Sequence, residues 1–374
     1  MFENAKPCPE LVWFATEDCN LQCVYCCAAG GNSKDSNLLS VIDLPVRGKR
    51  SSPVRRNNKN GNILSTAEAK ELIRQAAGFT RFFVIIGGEP LLRKDLPGLL
   101  DYAGSLGLSC SIITKGTLIT GKWAEEMARR QIAVNIALDS LSPAICDRLS
   151  GVEGTCEKTL AAIETCRKAG ILQGITATLT QLNAAETLKL TDFAKETGVE
   201  GCWMPLRPLG RGMDTYRRLA LTGQAYEEYL HHFYYRAKEI NKATSLNFYL
   251  YDPIYCRVLH QHGDYGNKAV LENYPLEKKL CGFGRYLNVD ARGNVLACLF
   301  TGLVVGNVRE KSLAEIWAQT ISLPFFKAIH NPENLRGACG RCKYNRICGG
   351  CRTRAYQLTG DWFAADPACY FAIK

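Results

Sequence analysis

Short apolar runs alternate with amphipathic stretches over the first two hundred residues. Leu11–Ala15, Arg81–Ile86, Leu108–Thr114, Ile132–Leu138, Ile171–Leu179 and Val199–Leu206 carry the brevity and β-branched content of buried strands. Between them the apolar positions recur at helical spacing, at about 65–78, 95–106, 121–130, 155–169 and 184–196. Ser65-Thr-Ala-Glu68 opens the first of these helices as a capping box, and Gly170 and Gly198 close the last two. Strands that alternate with helices imply a parallel sheet with right-handed crossovers. Six such units are too few for an eight-stranded barrel, so the pattern predicts an open, partial (β/α)6 barrel of the α/β class. The expected core covers residues 1–210, with an insertion at about 31–64. Residues 211–280, helical at first and rich in Tyr and His, read as a bridge to a small cysteine-rich domain at 281–374.

Composition narrows the class. At 374 residues, 47% hydrophobic and 22% charged, the chain suits one large globular domain with an appendage. It has no apolar run of membrane-spanning length and no signal-peptide pattern, so a cytoplasmic location without a membrane partner is expected. Much of the formal charge of +10 lies in Arg47–Lys59, a tract without apolar periodicity that reads as a solvated insertion. A nucleic-acid partner is not expected from it. Eighteen cysteines would be out of place as disulfides in that compartment, and ten of them fall into spaced sets that suit a metal.

Cys19, Cys23 and Cys26 form a Cys-x3-Cys-x2-Cys triplet in the loop after the first strand. Three thiolates can hold three irons of a [4Fe–4S] cube and leave the fourth open, whereas a pure electron carrier normally uses four cysteines. Gly87-Gly-Glu-Pro90 follows the second strand, Thr114-Lys-Gly116 the third and Ala137-Leu-Asp139 the fourth. All therefore fall at the C-terminal ends of strands, where parallel barrels place their chemistry. Near the other end, Cys281 precedes Gly293-x4-Cys298, then Cys339-x2-Cys342-x5-Cys348-x2-Cys351, then Cys369. Such paired spacing also suits structural zinc. Cys8, Cys27, Cys110, Cys146, Cys156, Cys166 and Cys202 lack ligand spacing and read as core packing, and the five histidines are scattered.

The triplet with Tyr25 before its last cysteine, the Gly-Gly-Glu-Pro run and the ordered C-terminal cysteines resemble the radical S-adenosylmethionine (SAM) enzymes that carry a C-terminal SPASM domain. The resemblance implies a SAM-binding [4Fe–4S] cluster on Cys19, Cys23 and Cys26 that cleaves SAM to a 5′-deoxyadenosyl radical, which then takes hydrogen from a substrate. It implies SAM contacts from Gly87, Gly88, Glu89 and Pro90, from Thr114 and Asp139, and from Arg148. Lys115 stands where relatives commonly carry Asn. For the auxiliary clusters it implies one on Cys281, Cys298 and Cys351, its fourth place either taken by Cys256 or open for substrate, and one on Cys339, Cys342, Cys348 and Cys369. A flavodoxin- or ferredoxin-like electron donor would be needed.

The tail from Cys348 to Asp361, with Cys369, is most similar to the branch holding pyrroloquinoline quinone and mycofactocin peptide maturases and alternative haem synthesis enzymes. The first expectation is modification of a peptide or protein, with a separate partner protein available to recognise it. The alternative is decarboxylation or side-chain removal on a tetrapyrrole, whose carboxylates would meet Arg207, Arg211 and Arg217. A non-enzymatic iron–sulfur or zinc binding protein stands as the third reading.

Overall fold

The computed structural model describes residues 10–28, 39–40, 62–264 and 286–373. Most of the insertion at 31–64 lies outside these residues, as do Cys8 and Cys281. The strands are β1 (Glu10–Phe14), β2 (Leu39–Ser40), β3 (Phe82–Ile86), β4 (Ser109–Thr114), β5 (Ala133–Ala137), β6 (Leu172–Leu179), β7 (Glu200–Pro205), β8 (Phe248–Leu250), β9 (Leu287–Val289), β10 (Asn294–Leu296) and β11 (Leu303–Asn307). They join into one open sheet in the order β2-β11-β10-β9-β1-β3-β4-β5-β6-β7-β8. From β9 through β1 to β8 all neighbours are parallel. The α/β reading and the partial barrel hold.

Alternation along each strand builds the barrel wall. One set of side chains, among them Trp13, Phe83, Ile85, Ile112, Val134 and Ile175, is buried in the main core. The alternate set, including Val12, Val84, Asn135 and Met204, lines an inner cavity of about 430 Å³. The helices Thr66–Ala77, Leu96–Ser105, Gly121–Arg129, Thr155–Lys168 and Ala184–Thr197 occupy the connections. The capping box forms as expected: Ser65 N donates to Glu68 Oε2 at 2.8 Å, and Glu68 N donates to Ser65 Oγ at 3.4 Å.

Two differences follow from pairing that spacing cannot reveal. Residues 211–280, read as a helical bridge, also contain β8, which extends the barrel beside β7. On the other edge β9 lies parallel to β1, so the C-terminal cysteine-rich region shares the sheet. Its helix Leu313–Ser322 lays Trp317 edge-on against Phe79, with ring centroids 6.1 Å apart. Among the described residues no helix is long and apolar enough to cross a membrane.

Candidate active site

The loop after β1, from Thr16 to Cys26, is held by backbone bonds to three other segments. Gly88 N donates to Thr16 O at 2.8 Å and Glu89 N donates to Asp18 O at 2.7 Å. Gln22 N and Val24 N donate to Ser150 O and Leu149 O, at 3.0 and 2.9 Å. Arg211 Nε donates to Cys23 O, and Thr215 Oγ1 donates to Val24 O, both at 2.9 Å. A β-carbon on Gly88 would lie 2.1 Å from Asp18 O, and one on Gly87 2.8 Å from Thr16 O. These glycines therefore let two loops stack. Gly88→Ala is expected to displace the cysteine loop and to lower iron retention after reconstitution severalfold, measured as iron per chain.

The three thiols lie close enough to act on one another. Cys23 is pushed up to about 11 by burial, against the pull of the Lys115 cation, with Cys26 and Cys19 adding to the rise. Burial also raises Cys19, while Leu21 N, donating to its sulfur at 3.4 Å, favours the thiolate. No disulfide links any of the sixteen described cysteines. Among the described residues no three His, Cys, Asp or Glu side chains converge on a single-ion site.

The other SAM-site candidates fare differently. Glu89 is buried; its carboxylate accepts from Thr114 Oγ1 at 2.9 and 2.8 Å and from Leu91 N at 3.1 Å. Burial raises its pKa, and those donors pull it back. Pro90 opens the short 3-10 turn Pro90–Leu92 that Glu89 caps. Thr114 thus ties the ends of β3 and β4 together.

Asp139, assigned above to SAM, already has its carboxylate engaged. Lys115 Nζ donates to it at 2.5 Å, Tyr25 Oη donates to the same oxygen, and Thr178 N donates to the other at 2.9 Å. Arg148 is exposed on the helix Pro143–Ser150, so its assignment to the SAM carboxylate draws no support from its surroundings. The work of its motif falls to its neighbours. Asp147 caps the next helix through Gly154 N and Cys156 N, at 2.7 and 2.8 Å. Gly151, at φ 71°, passes so near Gln22 O that a β-carbon would sit 2.6 Å away.

Two of the three arginines offered for substrate carboxylates are also engaged. Arg207 is buried and paired with Asp252 at 2.9 Å, and Arg211 grips the cysteine loop; Arg217 is exposed. Lys115, Arg211 and Thr215 went unassigned to the cysteine loop in the sequence, whereas Tyr25 was already placed in it. Only Lys115 left a signal, as a charged residue at a barrel position where relatives carry Asn.

Cys339, Cys342, Cys348 and Cys369 form a connected set, each acting on the ionisation of at least one other. Cys298 accepts from Thr353 Oγ1 at 3.8 Å, two residues beyond Cys351. Cys256, offered above for the first set, lies beside Cys348 of the second. Backbone N–H groups aim at the sulfurs, from Phe300 to Cys298, Tyr344 to Cys342, Gly350 to Cys348, Arg354 to Cys351 and Asp366 to Cys339, at 3.2–3.5 Å. Such donors favour thiolate over thiol and are how proteins tune iron–sulfur centres. The donor set therefore fits iron–sulfur groups at both ends of the chain.

Three thiols on a pinned loop at the mouth of a parallel barrel, with a second thiol-rich region on the same sheet, define an iron–sulfur radical enzyme. The chain belongs to the radical SAM superfamily: residues 13–194 match that superfamily, and residues 281–352 match the iron–sulfur cluster-binding SPASM domain. It is 31% identical to the AdoMet-dependent heme synthase of Methanosarcina barkeri (strain Fusaro / DSM 804), over 97% of each chain. It is 27% identical to the mycofactocin maturase MftC of Mycobacterium ulcerans (strain Agy99), over 98% of this chain and 89% of that one. The fold matches that of native anSMEcpe with bound AdoMet and Cp18Cys peptide at a TM-score of 0.67 and 18% identity, covering 96% and 93% of the two chains. It is an enzyme, and its cofactors are [4Fe–4S] clusters and SAM.

Proposed function

We propose that Cys19, Cys23 and Cys26 hold the SAM-cleaving cluster and that the radical so produced acts on a tetrapyrrole side chain. The observation that carries the first part is the pinned loop that brings three thiols together at the end of β1. When bound, cluster and SAM together supply an electron and a 5′-deoxyadenosyl radical. The chain's own part is to hold the cysteine loop rigid through Gly88, Ser150 and Arg211, and to close the strand ends beneath it through Glu89 and Thr114. Residues 1–210 serve as the SAM core, and 281–374, joined by 211–280, as the auxiliary domain. Loss of a side-chain carboxylate after hydrogen abstraction leaves one electron over. Cys339, Cys342, Cys348 and Cys369 would hold a centre able to take it.

The substrate assignment rests on the 31% identity to a heme synthase over nearly the whole of both chains. A second reading, a peptide or protein substrate, has its own support. The described residues lining the barrel cavity include no Lys, Arg or His, and its far end carries Glu10 and Glu200, both raised above the ordinary carboxylate range by burial. That lumen suits a neutral or cationic side chain better than a carboxylate. Similarity to a mycofactocin maturase points the same way.

One experiment separates the two. Reconstituted protein is given SAM, a strong reductant and iron coproporphyrin III, and 5′-deoxyadenosine is measured alongside the mass of the porphyrin. Loss of carbon dioxide from the porphyrin in step with deoxyadenosine would support the tetrapyrrole reading. Deoxyadenosine formed with the porphyrin unchanged would move the assignment to a peptide.

A further inference from the structure

Lys115 and Asp139 form an ion pair buried beneath the cysteine loop. The side chains retain 6% and 1% exposure, and Nζ lies 2.5 Å from the carboxylate. Burying two charges costs several kcal/mol per ion, and a pair of apolar residues of similar volume is often at least as stable. A pair kept here calls for a role beyond stability.

Its surroundings are built to hold it still. Lys115 O accepts from Thr159 Oγ1 at 2.9 Å. Asp139 accepts from Thr178 N at 2.9 Å through its carboxylate and from Asn183 Nδ2 at 2.8 Å through its carbonyl. The pair sits just past the adjacent parallel strands β4 and β5, one residue on each side fixed by the ladder. The third member of the network is Tyr25, whose hydroxyl donates to Asp139. Tyr25 stands between Cys23 and Cys26 in the cysteine loop. The ion pair is therefore tied to that loop, from Tyr25 through Asp139 to the Lys115 ammonium.

The two charges act on the cysteine loop with opposite signs. The Lys115 cation favours negative charge there, and the Asp139 anion opposes it. The Asp139 carboxylate, 2.5 Å away, holds Lys115 as an ammonium.

We infer that Lys115 is a positioning residue for the cluster: locked by Asp139 and Tyr25, its ammonium sets a fixed positive charge behind Cys23 and makes electron uptake there easier. In a dry, low-dielectric site such a charge acts at nearly full strength, and it needs no reorganisation when the extra negative charge arrives. The inference rests on the assignment of Cys19, Cys23 and Cys26 as cluster ligands.

The test is a redox titration of the reconstituted full-length protein, followed by electron paramagnetic resonance on the signal that changes when SAM is added. Lys115→Met should shift the midpoint potential to more negative values. Asp139→Asn should shift it the other way. The double variant Lys115→Met/Asp139→Asn leaves no unpaired buried charge, and its potential should fall between those of the two single variants. Scaffolding alone would shift both singles in the same direction, because each breaks the same pair. Same-direction shifts, or three potentials equal to that of the unaltered protein, would overturn the inference. If the unaltered protein showed no SAM-responsive signal, the cluster assignment would fall and this inference with it. A normal signal with unmoved variants would remove the inference alone.

Discussion

Cys23→Ala is expected to reduce 5′-deoxyadenosine formation to background and to lower the iron content by about four atoms per chain. Cys23 is the middle ligand of the triplet and the one most tightly integrated. Its carbonyl accepts from Arg211 Nε and from Cys26 N, at 2.9 and 3.2 Å, and its sulfur is reached by Tyr25. Two remaining thiolates cannot retain a cube that must also present an open iron. The contrasting variant is Cys27→Ala. Cys27 adjoins the triplet, is pushed well up in pKa by burial first and by Cys26 second, and lies near Cys298. It lacks ligand spacing, so its loss should leave deoxyadenosine formation within about twofold, the scale of a small change in packing. Equal loss in both variants would contradict the assignment of the triplet.

Arg354→Met is expected to cost about 3–5 kcal/mol of stability, the usual penalty for stranding a buried charge. Arg354 keeps 1% exposure and grips Asp366 with two nitrogens at 2.6 Å, while a third contact reaches Asp252 at 2.9 Å. Asp252 also pairs with Arg207 and caps the helix Pro253–Gln261 through Ile254 N at 2.8 Å. Asp366 accepts from Cys351 N at 2.7 Å and from Ala368 N at 3.1 Å. The exit of β7, the helix carrying Cys256 and the segments carrying Cys351 and Cys369 thus meet at one guanidinium. Removing it strands the Asp366 carboxylate, while Asp252 keeps Arg207. Arg354→Lys keeps the charge but loses the fork, so an intermediate cost is expected. Urea midpoints of the loaded protein measure both, and iron beyond one cluster should fall with the midpoint.

The same network sets a pH dependence. Burial opposes the Asp366 carboxylate, and Arg354 outweighs it, holding Asp366 below the ordinary carboxylate range. A group whose folded pKa is depressed adds stability above its unfolded value of about 3.9, and that stability is lost as pH falls through the lower folded value. Arg354→Met should flatten this acid limb of the stability curve.

How far the sequence reaches can be read from particular residues. The capping box at Ser65–Glu68, strands β3 to β7 and the helices between them follow from local period and end signals, and they appear within a residue or two of where the pattern puts them. The helix Pro143–Ser150, whose end supports the cysteine loop, was not picked out as an element because its apolar face is short. Order and spacing group Cys339, Cys342, Cys348 and Cys369, which also act on one another in the fold, while Cys256 carries no spacing signal and lies beside Cys348. Its partner is chosen by how the helix Pro253–Gln261 packs, and no spacing encodes that.

By itself, then, the sequence determined the class of chemistry: a ligand triplet with one coordination place to spare, set after the first strand of a parallel α/β chain, and a second cysteine-rich region. These are local facts, set by the thiolate's affinity for iron and by the periods of strand and helix. Only the tertiary structure decided what the remaining polar residues do. It stacked Gly87 and Gly88 against the cysteine loop, engaged Arg207 with Asp252 and Arg211 with the cysteine loop, exposed Arg148, and joined Lys115, Asp139 and Tyr25 beneath Cys23. The physical reason is that a buried charge must find its partner in space. Lys115 and Asp139 lie 24 residues apart along the chain, and parallel strand pairing alone brings them within a hydrogen bond.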